Sequence, residues 1–163
     1  MEDREMIHFE EVTNKNVRAV CRLRVADEQK SFVAENVLSL AEAYATRNEG
    51  NYALPYAIYN DGTLIGFVMI GYGTCDEQDP EIAKDNYILW RLMLDKAFQH
   101  QGFAMEILER VISLVKSAPC GAAEYIWLSY EPENIRAKEI YNKFGFRENG
   151  EICGGEIVAV YKL

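Results

Sequence analysis

The sequence predicts one mixed α/β (α+β) domain built around a central apolar strand that feeds a helix through a glycine turn. Three observations predict it. Tyr87 to Leu94 (YILWRLML) is a compact apolar run with one charge, Arg91, and reads as a largely buried strand. Beyond Asp95 and Lys96, the segment Gln99-His100-Gln101-Gly102-Phe103-Ala104 opens a stretch where Ala104, Ile107, Leu108, Val111, Leu114 and Val115 recur at helical spacing. The rest of the chain alternates β-type runs with helical patterns, giving the order β-α-α-β-β-β-α-β-α-β-β across residues 1–163.

Taken in order, Ile7 to Val12 alternates and reads as the first strand. Thr13 or Asn14 can cap the helix that follows, with Val17, Val20, Cys21 and Arg24 at helical spacing. After a polar segment from Asp27 to Ser31, the positions Val37, Leu38, Leu40, Ala41 and Tyr44 suggest the apolar face of a second helix, with Gly50 beyond its end. Tyr52 to Tyr59 and Thr63 to Tyr72 form a hairpin across Asn60-Asp61-Gly62, and Gly66 marks a bulge or a close backbone approach. An acidic loop runs from Cys75 to Glu81. After the central strand and helix, Ser117-Ala-Pro-Cys-Gly121 ends the helix. Tyr125 to Ser129 is a short strand, Asn134 caps a helix from Ile135 to Phe144, and Arg147 to Ile152 pairs with Ile157 to Leu163 across Gly154-Gly155.

Composition narrows the functional classes. A chain of 163 residues suits one domain that can bury a substantial core without disulfides. The 17 Lys+Arg against 26 Asp+Glu give a formal charge of −9, which argues against nucleic acid and anionic membranes as partners and favours a small cation. Cys21, Cys75, Cys120 and Cys153 are scattered, and with two histidines no metal cluster is visible. The charged start, MEDREMIHFEEV, lacks the apolar core of a signal peptide, and no run approaches a membrane span, so a cytoplasmic protein with reduced cysteines is expected. A homodimer, the commonest closed assembly, remains open.

The glycine turn carries the chemistry. A turn that opens a helix leaves N–H groups without partners at the positive end of the helix dipole, and such an end holds phosphate or pyrophosphate. Gly102 and Ala104 are small enough to let an anion approach the backbone. By itself the same glycine also suits a plain turn or cap.

Gln99-x-x-Gly102-x-Ala104 after an apolar strand resembles the acetyl-CoA pyrophosphate loop of the GNAT N-acetyltransferases, (Gln/Arg)-x-x-Gly-x-(Gly/Ala). Further on, Asn134-x-x-Ala137-x-x-x-Tyr141 followed by Gly145-Phe146 resembles that family's second signature. The resemblance covers essentially the whole chain and implies a mixed, mostly antiparallel seven-stranded sheet flanked by about four helices. It departs at His100, which stands where the family has a glycine.

The resemblance implies acetyl-CoA as co-substrate and no metal. The backbone of Leu92, Met93 and Leu94 would pair with the pantetheine arm, Gln99, His100, Gln101, Gly102, Phe103 and Ala104 would form the pyrophosphate loop, and Asn134 would bond the co-substrate. Tyr141 occupies the position of the general acid that protonates the departing thiolate. On spacing alone Tyr141 equally suits the core, because Ala137, Ile140, Tyr141 and Phe144 share one helix face. An aliphatic amine, with a pKa of roughly 10.4, must lose a proton before attack. A carboxylate acting through water could take it, with Glu28, Glu35 and Glu42 as candidates.

Within the family, Gln29 to Asn36 with Ser39 to Tyr44, the Tyr87 to Asp95 strand with Trp90-Arg91, and the Gln99 to Ala104 loop resemble bacterial spermine/spermidine (diamine) acetyltransferases. A polyamine pocket needs carboxylates and aromatic faces, for which Glu28, Glu35, Glu42, Tyr44, Trp90 and the Asp76 to Glu81 loop are candidates. Another acceptor amine (aminoglycoside, amino acid or protein N-terminus) and a non-catalytic acetyl-CoA sensor are the alternatives.

Overall fold

Every run read as a strand pairs into a single sheet. The computed structural model describes residues 6–163, so the first five residues of the charged N-terminal stretch lie outside the described residues. The strands are β1 (Ile7–Glu11), β2 (Tyr52–Asn60), β3 (Thr63–Tyr72), β4 (Tyr87–Leu94), β5 (Tyr125–Tyr130), β6 (Arg147–Cys153) and β7 (Glu156–Lys162). The helices are α1 (Val17–Arg22), α2 (Asn36–Asn48), α3 (Phe103–Lys116) and α4 (Ile135–Phe144). The sheet is seven-stranded in the order β1-β2-β3-β4-β5-β7-β6. All neighbours are antiparallel except β4 and β5, which α3 connects as a parallel pair.

Each face of the sheet has its own core. One face buries Ile58, Val68, Ile70, Tyr87, Leu89, Ile126 and Leu128 under α3, which contributes Ile107, Leu108, Val111, Ile112 and Val115. Their i, i+1, i+4, i+5, i+8 spacing is one stripe of a helix. Burying an aliphatic side chain of this kind is worth about 1.5–3 kcal/mol, so this stripe anchors α3 beneath the β4–β5 junction. Helix α4 lies on the same face through Ala137, Ile140, Tyr141 and Phe144, the face its spacing predicted. Tyr87 is fully buried, and its hydroxyl donates to the Gly121 carbonyl (2.8 Å) and accepts from Cys120 N–H (2.9 Å). It thereby fixes the turn that returns the chain from α3 to β5.

The opposite face carries Ala53, Ala57, Phe67, Met69 and Met93, packed against Val20 of α1 and Ala43 of α2. Here α2 departs from its predicted orientation. Its buried residues are Asn36, Ser39 and Ala43, whereas Val37, Leu38 and Tyr44 are 56%, 51% and 71% exposed. Small side chains let the helix sit close to the sheet, so Val37, Leu38 and Tyr44 turn outward, while Leu40 of the predicted face packs against this core. Helix α1 also ends earlier than its spacing suggested, at Arg22, because the Arg24 N–H donates to Asp95 Oδ2 (2.9 Å) instead of extending the helix. Neither Thr13 nor Asn14 is its N-cap; that position is Asn16, whose Oδ1 accepts from Thr13 N–H (2.9 Å).

Turn chemistry sets the register elsewhere. Gly154 and Gly155 both have positive φ (56° and 82°), as the tight β6–β7 turn requires. Gly66 faces Leu94 across the β3–β4 ladder, and a Cβ added there would collide with the Met93 carbonyl oxygen. This is the close backbone approach its position in the strand suggested. Replacing Gly66 with Ala is therefore expected to destabilise the fold by about 1–3 kcal/mol, the usual range for overpacking, measured by urea unfolding.

Candidate active site

The site begins where β4 leaves β5. The two strands pair only at Tyr87↔Ile126 and Ile88↔Trp127, and beyond Ile88 β4 keeps β3 as its one sheet neighbour. A register shift accompanies the parting. Met69 faces Arg91 and Ile70 faces Leu89, so Trp90 is an extra residue in β4. A bulge of this kind bends its strand and increases the local twist, which turns β4 away from β5.

The ladder decides which backbone groups are left open. The Asp95 N–H donates to the Ile65 carbonyl (2.9 Å), so with strand alternation Met93 also turns its N–H and C=O to β3, while Leu92 and Leu94 turn theirs to the gap. Of the three residues predicted to hold the pantetheine arm, Leu92 and Leu94 thus present free backbone. Met93 contributes its side chain to the opposite face. The Leu94 carbonyl accepts from Gln99 Nε2 (3.0 Å). Its N–H stays open to the gap.

The loop after β4 is wound through two left-handed residues, His100 (φ 63°) and Gly102 (φ 81°). Gly102 is the N-cap of α3 and supplies no side-chain cap. The N–H groups of the first turn, at Phe103 and Ala104, therefore have no partner within the helix and form a concave positive end. His100, unlike the glycine of the family pattern, pays the left-handed strain with a Cβ. Its Nδ1 lies 3.4 Å from Arg136 Nη2. Sequence reasoning missed Arg136, although a cation in the first turn of a helix opposes the dipole and so signals an anionic partner.

Asn134 caps α4, its Oδ1 accepting from Ala137 N–H (3.3 Å). Tyr141 follows two turns later and lines a cavity with Tyr130 at the end of β5, Phe146 and Glu148. The Tyr141 ring lies 6.4 Å from Tyr130, nearly parallel, and 5.8 Å edge-on from Phe146. Its hydroxyl has no hydrogen-bond partner among the described residues. Burial pushes the phenol up to about 12, so it remains a proton donor at neutral pH.

Across the sheet, the predicted acceptor residues separate. Glu42 is engaged: Arg91 Nη2 lies 3.2 Å from its Oε2, and the guanidinium also stands 5.7 Å over the Trp90 ring. Glu28 is exposed on a short 3₁₀ turn, Asp27–Gln29. Glu35 borders a cavity of about 170 Å³ between the α1–α2 connection and β4, with Leu23, Arg24, Lys30, Asn36 and Met93 in its wall. Tyr44 faces outward, away from this cavity. Asn36, which the sequence reading did not single out, is 2% exposed and donates to the Val20 carbonyl (2.9 Å) and Met93 Sδ (3.6 Å), bracing that wall.

The acidic loop reaches the β6–β7 hairpin, where Glu81 N–H donates to Glu151 Oε1 (3.0 Å), and none of its residues lines the Glu35 cavity. Burial, then the charges of Asp79, Glu156, Asp76 and Glu151, push the Cys153 thiol up. Burial, then Asp79, Asp76 and Glu49, do the same to Cys75. These carboxylates come from the end of α2, the loop and the β6–β7 hairpin, so they form one negative region. Among the described residues no group of His, Cys, Asp and Glu could hold a metal ion, and no helix is long and apolar enough to cross a membrane. All four cysteines are free.

Comparison with known proteins gives concordant results. Residues 14–146 match the model of the acetyltransferase (GNAT) family. A probable spermine N(1)-acetyltransferase of Bacillus subtilis subsp. natto (strain BEST195) is 33% identical over 96% of this chain and 99% of its own length. The spermine/spermidine N(1)-acetyltransferase of Bacillus subtilis (strain 168) is 32% identical over the same shares. In three dimensions the chain superimposes on AAC(6')-Ib in complex with ribostamycin and coenzyme A with a TM-score of 0.75 at 14% identity, covering 96% of this chain and 93% of the other. For spermidine N-acetyltransferase from Vibrio cholerae in complex with CoA and spermine, the TM-score is 0.66 at 18% identity, with 96% and 95% covered. At those identities the structural likeness speaks to the fold.

Proposed function

The chain belongs to the GNAT acetyltransferase family, and from that premise we propose that it moves the acetyl group of acetyl-CoA to a primary amine of a polyamine such as spermine or spermidine. The observation that carries the chemistry is the gap beside β4, where Leu92 and Leu94 have unpaired backbone groups directly upstream of the Gly102 turn. The acceptor class rests on the two relatives named for spermine acetylation.

The residues fit acetyl-CoA as co-substrate. Leu92 and Leu94 offer strand-type hydrogen bonds to an amide-bearing arm, and the N–H groups of Phe103 and Ala104 offer an anion site for the pyrophosphate. Bound there, acetyl-CoA supplies the activated acyl group. With the arm running back from the loop along β4, the Leu92 N–H, a strand N–H near Leu94, meets the negative charge that develops on the carbonyl oxygen during attack. Tyr141, a neutral phenol at working pH, donates toward the departing sulfur. Of the three candidate bases, Glu42 is neutralised by Arg91, so Glu35 at the cavity wall is assigned the role of accepting the amine proton through water.

A second reading has one observation in its favour. Arg24 stands in the wall of the Glu35 cavity, and its charge suits an acceptor that carries a carboxylate, such as an amino acid or a peptide N-terminus; Lys30, also in that wall, is paired with Asp27 (2.6 Å).

Release of free CoA thiol from acetyl-CoA, with spermine, spermidine, a short diamine, an aminoglycoside, an amino acid and an N-terminal peptide offered in turn, separates these readings. Saturable turnover with polyamines alone is expected. Turnover only with the carboxylate-bearing acceptors would transfer the assignment to the second reading.

Tyr141→Phe keeps the ring contacts and removes the proton. Its kcat should fall about 10²- to 10⁴-fold, the range for a general acid, while the Kd for CoA from calorimetry stays within about twofold. Unchanged kcat across pH would take Tyr141 out of the mechanism.

A further inference from the structure

The co-substrate loop and the acceptor wall are joined by hydrogen bonds that the family signatures do not explain. Arg24 N–H donates to Asp95 Oδ2 (2.9 Å), and Lys96 N–H donates to the Arg24 carbonyl (2.8 Å). Gln99 Nε2 donates to Gln29 Oε1 (2.8 Å). The residues 24–29 and 95–99 are thereby tied at both ends.

The last of these bonds differs from the others. Gln99 spends its two amide hydrogens on the Leu94 carbonyl and on Gln29. The residue directly after it is His100, the first left-handed residue of the loop. Fixing Gln99 therefore fixes the start of the path that aims the Phe103 and Ala104 N–H groups. On the other side, Gln29 ends the 3₁₀ turn Asp27–Gln29 and is followed by Lys30, Val33, Ala34 and Glu35, all in the cavity wall. Its side-chain oxygen makes the only hydrogen bond from that turn to the Gln99 side chain among the described residues.

We propose that Gln29 is a positioning residue for acetyl transfer: through Gln99 it makes ordering of the anion loop and ordering of the acceptor wall a single event. Occupancy of the loop then stiffens residues 24–32 before any acceptor arrives. The proposal rests on the loop role assigned under the proposed function and is independent of which amine is acetylated.

Hydrogen exchange read by mass spectrometry, on the full chain with and without saturating free CoA, tests it. The N–H groups of Arg24, Gln29, Lys30 and Phe32 are all hydrogen-bonded and report on the segment. In the natural sequence CoA should slow exchange several-fold in both 24–32 and 99–105. In Gln29→Ala the slowing at 99–105 and at Arg24, still held through Asp95 and Lys96, should persist while that at 27–32 is lost, with an unchanged melting temperature in the absence of CoA. Gln29→Glu keeps an acceptor oxygen and should retain both. Equal slowing of 27–32 in Gln29→Ala, or none in the natural sequence despite slowing at 99–105, would overturn the coupling. Absence of slowing at 99–105 in the natural sequence would instead overturn the loop assignment and the coupling with it.

Discussion

The parting of β4 from β5 is the constraint on which the rest of the molecule depends. Backbone N–H and C=O groups left unpaired inside a protein are costly, so a strand that loses its neighbour partway needs water or a ligand along the open edge. Two features hold this arrangement in place. The bulge at Trp90 bends β4, and Gly66 allows β3 to press against the Met93 carbonyl and hold β4 from the other side. Helix α3 sits directly below the junction because its buried stripe packs on Tyr87, Leu89 and Ile126, which brings the open N-terminus of the helix to the end of the free edge. Strand edge and helix end together make a site for an extended, amide-bearing ligand that terminates in an anion.

Much of this was legible in the sequence because it depends on short-range chemistry. The apolar run Tyr87–Leu94, the small residues Gly102 and Ala104 and the cap at Asn134 each act within a few positions of themselves, and the order of elements followed from them. What the sequence did not reveal depends on packing across the sheet. The inward face of α2 is made of Asn36, Ser39 and Ala43, because close approach selects small residues and leaves Val37, Leu38 and Tyr44 outside. Of the large apolar positions that hydropathy pointed to, Leu40 alone packs inward. Likewise nothing local announced that Glu42 would meet Arg91, or that only Leu92 and Leu94 of the three strand residues would turn their backbone to the gap.

The two sides of the site differ in how they are built. The co-substrate side is mostly backbone, held by regular elements and one left-handed glycine. The acceptor side is mostly side chains on the irregular α1–α2 connection, braced by Asn36 and by the bonds to Asp95, Lys96 and Gln99. Side-chain walls change their chemistry with single substitutions, whereas a backbone edge does not. This explains why the acetyl-CoA half can be read from two signatures while the acceptor half needs the position of every charge, including the cations Arg24 and Lys30 beside Glu35.

The free edge of β4 is tested most directly by amide NMR during titration with CoA. Leu92 and Leu94 N–H should shift strongly and exchange more slowly, while Met93, already paired with β3, changes little. A response confined to residues 99–105, with Leu92 and Leu94 unmoved, would contradict a pantetheine arm bound along the strand.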